Sequence, residues 1–167
     1  MEIWDAYYED GTLAGCDLIR GEIIPDRLFH LVCEVIVRHK DGEFLLMQRD
    51  HNKKMYPGMF EASASGSALK GESAIEGAIR ELKEETGIDG SNLKFICKCT
   101  NAATRGMYYI YLCNTDCNKD SIILQEGETI SYRWMGQDEF MKFVETEKYV
   151  KPDKERKQIY LNSLNAH

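Results

Sequence analysis

The stretch GSALKGESAIEGAIRELKEETGI, residues 66–88, decides how the rest of this chain is read. It crowds Glu81, Glu84 and Glu85 together, although like charges at helical spacing cost about 0.2–0.5 kcal/mol per pair. Ser73 and Glu76 match a capping box, and Gly87 suits the left-handed residue just past a helix C-terminus. The spacing predicts a helix from about Ala74 to Thr86. At about 100° per residue, Ala78, Leu82, Ile75, Thr86 and Ile79 form a core sector, roughly 60° to 160° from Glu81. Glu84, Gly77, Glu81 and Glu85 fill the adjoining sector. Gly77 costs about 1 kcal/mol relative to alanine in a helix, so something is expected to approach closely there. Such a stripe is either a solvated acidic face, with Arg80 and Lys83 as ion-pair partners, or a seat for something positive.

The surrounding composition narrows the choice. A chain of 167 residues fits one domain, 1–167, with a sizeable core. With 43% hydrophobic and 29% charged residues it has the make-up of an ordinary folded protein. Twenty-one basic against 28 acidic residues leave a net charge of −7. That balance argues against a duplex nucleic-acid surface, which needs clustered positive charge. A small nucleotide is still allowed, because a local basic pocket or a metal can hold phosphate. No apolar run of about 18 residues occurs, so no membrane span is expected. MEIWDAYYED lacks a signal-peptide layout, and a cytoplasmic location is the expectation. The six cysteines, Cys16, Cys33, Cys97, Cys99, Cys113 and Cys117, do not show paired zinc-ligand spacing. They are expected to be reduced, buried thiols.

Turn signals and periodicity divide the chain further. Residues 2–20, about Asp10-Gly11, read as an N-terminal hairpin. HLVCEVIVRH (30–39), Lys40-Asp41-Gly42 and FLLMQR (44–49) read as a second, apolar hairpin. Residues 92–100, 106–113 and 129–135 supply three more strands. Residues 137–147 and about 153–165 read as helices. Strands predominate around one embedded helix, so the class is α+β.

Gly66, Glu72, Arg80, Glu81, Leu82, Glu84, Glu85, Gly87 and Ile88 together match the Nudix box without a departure. The chain therefore resembles the Nudix hydrolase family. GEFLLMQRDHNKKMYPGMFEASASG and the hairpin WDAYYEDGTLAG resemble the branch that includes isopentenyl-diphosphate isomerase. The resemblance implies a Nudix fold, an α/β/α sandwich around a mixed sheet. It implies Mg²⁺ or Mn²⁺ and hydrolysis of a nucleoside diphosphate linked to another moiety, or of a related small-molecule diphosphate. A divalent cation then neutralises the carboxylate stripe, and Mg²⁺ prefers oxygen ligands. By the same resemblance Glu81, Glu84, Glu85 and the main-chain oxygen of Ser65 are metal ligands. Glu81 or a neighbouring carboxylate activates water, Glu84 reaches a second ion or a metal-bound water, and Arg80 orients carboxylates with Glu72 as its partner. Glu126 and Glu128 in LQEGETI are candidates for a further carboxylate.

Arg49, Lys53 and Lys54 form the best local basic cluster and are read as a phosphate or nucleotide contact, against an exposed hairpin end. Aromatics in YYIY (108–111) can stack on a base, though alternate ones must be core. His30 and His39 read as ordinary strand-end histidines. Two other functions compete with hydrolysis. An isomerase needs a cysteine acid, and EASASGSALKGE (61–72) holds none. A non-catalytic binding module would be expected to have lost box carboxylates, and none is missing. A homodimer is compatible with all three readings.

Overall fold

The run His30–His39 becomes β3, the strand about which the main sheet is organised. In this computed structural model, which describes residues 1–150 and Asn162, nine strands, two α-helices and a one-turn 3-10 helix at Lys119–Ser121 follow in order. They are β1 (Ile3–Tyr7), β2 (Leu13–Ile19), β3, β4 (Phe44–Arg49), β5 (Phe60–Glu61) and β6 (Ala64–Ser67). After these come α1 (Ala74–Thr86), β7 (Leu93–Asn101), β8 (Gly106–Thr115), β9 (Thr129–Met135) and α2 (Gln137–Phe143). The helix expected at about 153–165 lies outside the described residues, apart from Asn162, which is helical.

Strand β3 runs parallel to β8 from His30↔Gly106 to His39↔Thr115, and antiparallel to β6 from Val32↔Ser67 to Val35↔Ala64. β7 extends this sheet beyond β8. The sheet is therefore mixed, as a Nudix fold requires. The second hairpin differs from its sequence reading. β3 and β4 pair only beside the turn, at Arg38↔Phe44. Beyond it they part around Ser63, whose hydroxyl accepts from Val37 N–H and donates to the Leu45 carbonyl, both at 2.8 Å. β4 then takes β5 and β9 as partners. A fully buried serine thus keeps the strand edges hydrogen-bonded where the ladder opens, and leaving them bare would cost desolvation.

Alternation along β3 feeds two cores. Cys33, Val35 and Val37 face Ala78 and Leu82 of α1. Ile36 faces the other way, into a cluster with Phe44, Leu46, Ile110, Leu112 and Phe140 of α2. The sheet is covered by a helix on each side. The Phe44 and Phe140 rings stack with centroids 5.3 Å apart. Helix α2 stops at Phe143, short of the expected 147. Thr146 bonds back to the Phe143 carbonyl, and Lys148 and Val150 pair with Phe60 at 2.7 and 2.8 Å. That pairing pulls the chain off the helical path.

Helix α1 has the expected span, with a complete Ser73–Glu76 capping box and Gly87 at φ 76°. Its buried face is turned from the sector drawn above. Ala74, Gly77, Ala78, Leu82, Glu85 and Thr86 are buried, whereas Ile75 and Ile79 are 43% and 37% exposed. Gly77 explains the rotation. A Cβ there would come within 3.0 Å of Cys33 Sγ and 3.2 Å of Ala68 Cβ, so the close approach is made by the protein's own sheet. This draws Glu85 inward with it.

The N-terminal hairpin, β1 and β2, forms its own two-stranded sheet. Tyr7 and Phe29 exchange backbone hydrogen bonds at 2.9 Å, and Lys70 N–H donates to the Ile3 carbonyl at 2.9 Å. Gly71 N–H adds a bond to Asp5 at 2.7 Å. The hairpin is thereby fastened across the loop that enters α1. None of the six cysteines forms a disulfide, but only Cys33 and Cys113 are buried, and Cys16 is exposed. The expectation of buried thiols holds for those two alone; Cys16 lies on β2, Cys97 and Cys99 on β7, and Cys117 just past the end of β8.

Candidate active site

An open cleft of about 520 Å³ lies between the acidic stripe of α1, the β6 loop, the end of β4 and the N-terminal hairpin. Local rules place its floor. Gly66 lacks a side chain where the Glu81 carboxylate rests, since a Cβ there would lie 2.2 Å from its carboxyl carbon. Arg80 reaches back along the helix surface. Its Nε and Nη2 donate to Glu72 at 2.8 and 2.9 Å, its Nη2 to the Ser67 carbonyl at 3.1 Å, and its Nη1 to Glu81 at 2.7 Å. A fourth partner, Glu84, is at 3.3 Å. Such a forked guanidinium fixes direction as well as charge.

The electrostatics follow from burial. Glu85 is only 6% exposed, and its carboxyl is pushed well above the usual range by burial and by the charges of Glu61 and Glu81. One N–H, from Ser65 at 3.1 Å, compensates it. Burial also raises Glu81, against the opposing pull of Arg80. The hydrogen bonds that Arg80 donates to Glu72 lower the Glu72 carboxyl and raise the Arg80 guanidinium. Buried carboxylates with so little compensation need either protons or a cation. The donor set is all oxygen, which suits a hard divalent ion. Among the described residues no three acidic, histidine or cysteine side chains sit close enough to enclose an ion as they stand. Arg80 meanwhile occupies one oxygen of Glu81.

Of the residues singled out from sequence, Arg80, Glu81, Glu84, Glu85, Ser65, Arg49 and Lys53 all line the cleft. Lys54 does not; it is exposed on the turn after β4. The basic pair is also less available than its sequence suggests. Arg49 Nη1 donates to Glu61 at 2.6 Å and its Nε to the Met55 carbonyl at 3.0 Å, while Lys53 is paired with Glu128. Of the two loop carboxylates, Glu128 lines the cleft and Glu126 does not.

Several residues in or behind the cleft were not anticipated. Glu61 stands behind Arg49, with burial raising its carboxyl. Glu2, Trp4 and Arg20 come from the hairpin and Gln125 from the loop before β9, while His30, read from sequence as a strand-end histidine, and Tyr108, one of the aromatics expected to be able to stack on a base, complete the wall. Arg20 Nη1 donates to Glu2 at 2.6 Å, and Trp4 Nε1 donates to the other Glu2 oxygen at 2.7 Å. No sequence motif marks Glu2, Trp4 and Arg20; they reach the cleft because the hairpin docks through the Tyr7–Phe29 pair. Tyr108 lines the cleft while Tyr111 is buried, as strand alternation in YYIY requires.

Known proteins carry the same frame. The family model described as NUDIX domain matches residues 28–156. A Listeria monocytogenes protein named as an uncharacterized Nudix hydrolase is 32% identical over 143 residues, covering 83% of this chain and 82% of its own. A crystal structure from Deinococcus radiodurans superposes with a TM-score of 0.77 at 16% identity, covering 99% of this chain and 98% of that one. The NUDIX domain of Shewanella oneidensis NrtR, solved with ADP ribose, gives 0.62 at 13% identity, covering 83% and 89%. At those identities the two structures establish the fold alone.

Proposed function

The chain belongs to the Nudix family and is a Nudix pyrophosphohydrolase, and from that premise we propose that it cleaves the diphosphate of a nucleoside diphosphate linked to another moiety. The observation that carries this reading is the buried, undercompensated Glu85 beside Glu81 on the C-terminal half of α1. Glu81, Glu84, Glu85 and the Ser65 carbonyl would hold Mg²⁺ or Mn²⁺. When bound, the metal supplies charge neutralisation for the diphosphate and lowers the pKa of coordinated water.

The chain's own side chains do the rest. Glu81, with its carboxyl raised by burial, is a better proton acceptor for the attacking water than an exposed glutamate. Arg80 holds one oxygen of Glu81 and leaves the other to work. Arg49 and Lys53 exchange part of their pairing with Glu61 and Glu128 for substrate phosphates. Glu128 is the later-loop carboxylate that joins the site. The ADP ribose seen with the Shewanella domain makes such compounds the first substrates to try.

The flanking resemblance to the isomerase branch does not extend to isomerase chemistry, because no cysteine is among the residues that line the cleft. The same proposal takes residues 1–167 as one catalytic unit acting in the cytoplasm on a small molecule. No helix among the described residues is long and apolar enough to cross a membrane. The test is turnover of nucleotide sugars, dinucleoside polyphosphates, nucleoside triphosphates, coenzyme A and prenyl diphosphates, with Mg²⁺ and with excess EDTA. Hydrolysis of at least one of these, abolished by EDTA, is expected. Full activity in EDTA would overturn the assignment.

A further inference from the structure

Part of the cleft wall is built by residues that lie outside the family match of 28–156 or at its very start. Trp4, on β1, stacks on His30, on β3, with ring centroids 4.4 Å apart and planes within 14°. Both residues belong to the cleft wall, with Trp4 buried behind against Ala6 and Leu18 and His30 the half-buried ring in front. His30 is fixed by a 3.0 Å hydrogen bond between Nδ1 and the Arg105 carbonyl. A carbonyl only accepts, so Nδ1 carries the proton and Nε2 is an acceptor. Trp4 is fixed in turn through Nε1 to Glu2. Two flat rings are thus each pinned by a polar edge contact, one behind the other, at the side of a diphosphate-sized cleft.

We propose that the Trp4–His30 stack is the recognition platform of this site, taking the flat heteroaromatic base of the substrate onto the pile while the diphosphate lies toward α1. The proposal rests on the hydrolase reading for the diphosphate but not for the base. Parallel rings favour a third planar group over an alkyl chain or a sugar, because stacking is sequence-tolerant and worth about 1–3 kcal/mol per base. The stack is held at one end by a hairpin and at the other by the central strand, so its spacing is set by the fold rather than by a mobile loop. Tyr108 adds a second aromatic surface in the same cleft. It is held across Gly106, where a Cβ would lie 2.7 Å from its ring. On this reading Trp4 and His30 are specificity-determining residues, and neither takes part in bond breaking.

The bland reading is that the stack merely fastens the hairpin, and the experiment separates the two. The sequence holds two tryptophans, and Trp134 lies on β9 outside the cleft. In a Trp134→Phe background the fluorescence therefore reports Trp4. Without metal, AMP and UMP should change that emission saturably, while inorganic pyrophosphate should not. His30→Ala should weaken AMP at least tenfold, and His30→Phe, which keeps a flat ring, should restore most of the affinity. In turnover His30→Ala should raise KM for base-bearing diphosphates with little change in kcat, and leave inorganic pyrophosphate or a prenyl diphosphate unaffected. Equal response to AMP and pyrophosphate, or an unchanged AMP affinity in folded His30→Ala, would overturn the platform. Were no diphosphate hydrolysed at all, the hydrolase reading would fall, and the AMP titration would still decide this one.

Discussion

Gly66 and Glu81 meet so closely that only hydrogen fits between them: a Cβ on residue 66 would stand 2.2 Å from the Glu81 carboxyl carbon and 2.2 and 2.5 Å from its two oxygens. Gly66 does not have a positive φ, so alanine is conformationally acceptable there. The atoms in its way are the far end of a flexible side chain, held there by Arg80. Gly66→Ala should therefore fold with a melting temperature within a few degrees of wild type, while Glu81 swings aside. A misplacement of about 1 Å in a reacting constellation can cost about 100-fold, and a kcat loss of that order is expected. An active Gly66→Ala enzyme would show that Glu81 does not need its position.

Arg49 shows how the structure changes a prediction made from sequence. Its partner Glu61 is 17% exposed at the side chain, and Arg49 itself 16%. Arg49→Met would leave an enclosed carboxylate without its cation. A destabilisation on the order of 2 kcal/mol is expected, less than for a fully enclosed pair. Arg49→Met with Glu61→Leu should recover most of it, and Lys54→Met should change neither stability nor KM. Denaturant unfolding of the four proteins decides the matter. A stable Arg49→Met single variant would return Arg49 to the role of a free phosphate ligand.

His30 gives a pH dependence with a definite sign. Burial holds its pKa below the ordinary value, against the opposing effects of the Arg105 carbonyl and the Glu2 charge. In the unfolded chain it titrates near about 6.5. Below that pH the unfolded state binds the proton and the folded state does not, so this contribution is complete above about 6.5 and lost as pH falls. Melting temperatures from pH 7.5 to 5.5 should fall less steeply for His30→Phe than for wild type. Parallel slopes would mean that His30 titrates freely in the folded protein.

What could be read in advance was what local chemistry specifies. Ser73, Glu76 and Gly87 mark both ends of α1 within a few residues, and the carboxylate spacing identifies the acidic stripe. The parting of β3 and β4 could not be read, because it depends on Ser63 reaching both Val37 and Leu45 across the sheet. Hydropathy assigned Ile75 and Ile79 to the core. The contact of Gly77 with Cys33 and Ala68 turned the helix instead, exposing both isoleucines and burying Glu85. Trp4 and Arg20 joined the site only through the docking of the hairpin, a long-range event that no residue within it announces.

Glu85 provides the sharpest test of the site, because its effects on stability and on activity should have opposite signs. In the metal-free protein its carboxyl is buried beside Glu61 and Glu81 and compensated by one N–H from Ser65. Glutamine keeps the shape and can still accept that hydrogen bond through its amide oxygen, while it removes the charge that burial penalises. Metal-free Glu85→Gln should therefore melt at or above the wild-type temperature. Added Mg²⁺ should reverse the order. Binding to the folded state alone adds about 2.7 kcal/mol at a hundredfold excess over the dissociation constant, and the variant should lose much of that gain. Turnover should fall about 100-fold or more, since losing about 2.7 kcal/mol of transition-state stabilisation suffices. Glu76→Gln is the control, because Glu76 is exposed and its contacts are to Ser73. Glutamine can still close that capping box, so activity and the Mg²⁺ response should stay near wild type. Thermal melts with and without Mg²⁺, and turnover at saturating Mg²⁺, read all of this on three proteins. If Glu85→Gln lowered the metal-free melting temperature and left turnover intact, Glu85 would be a structural residue and the stripe on α1 a solvated acidic face.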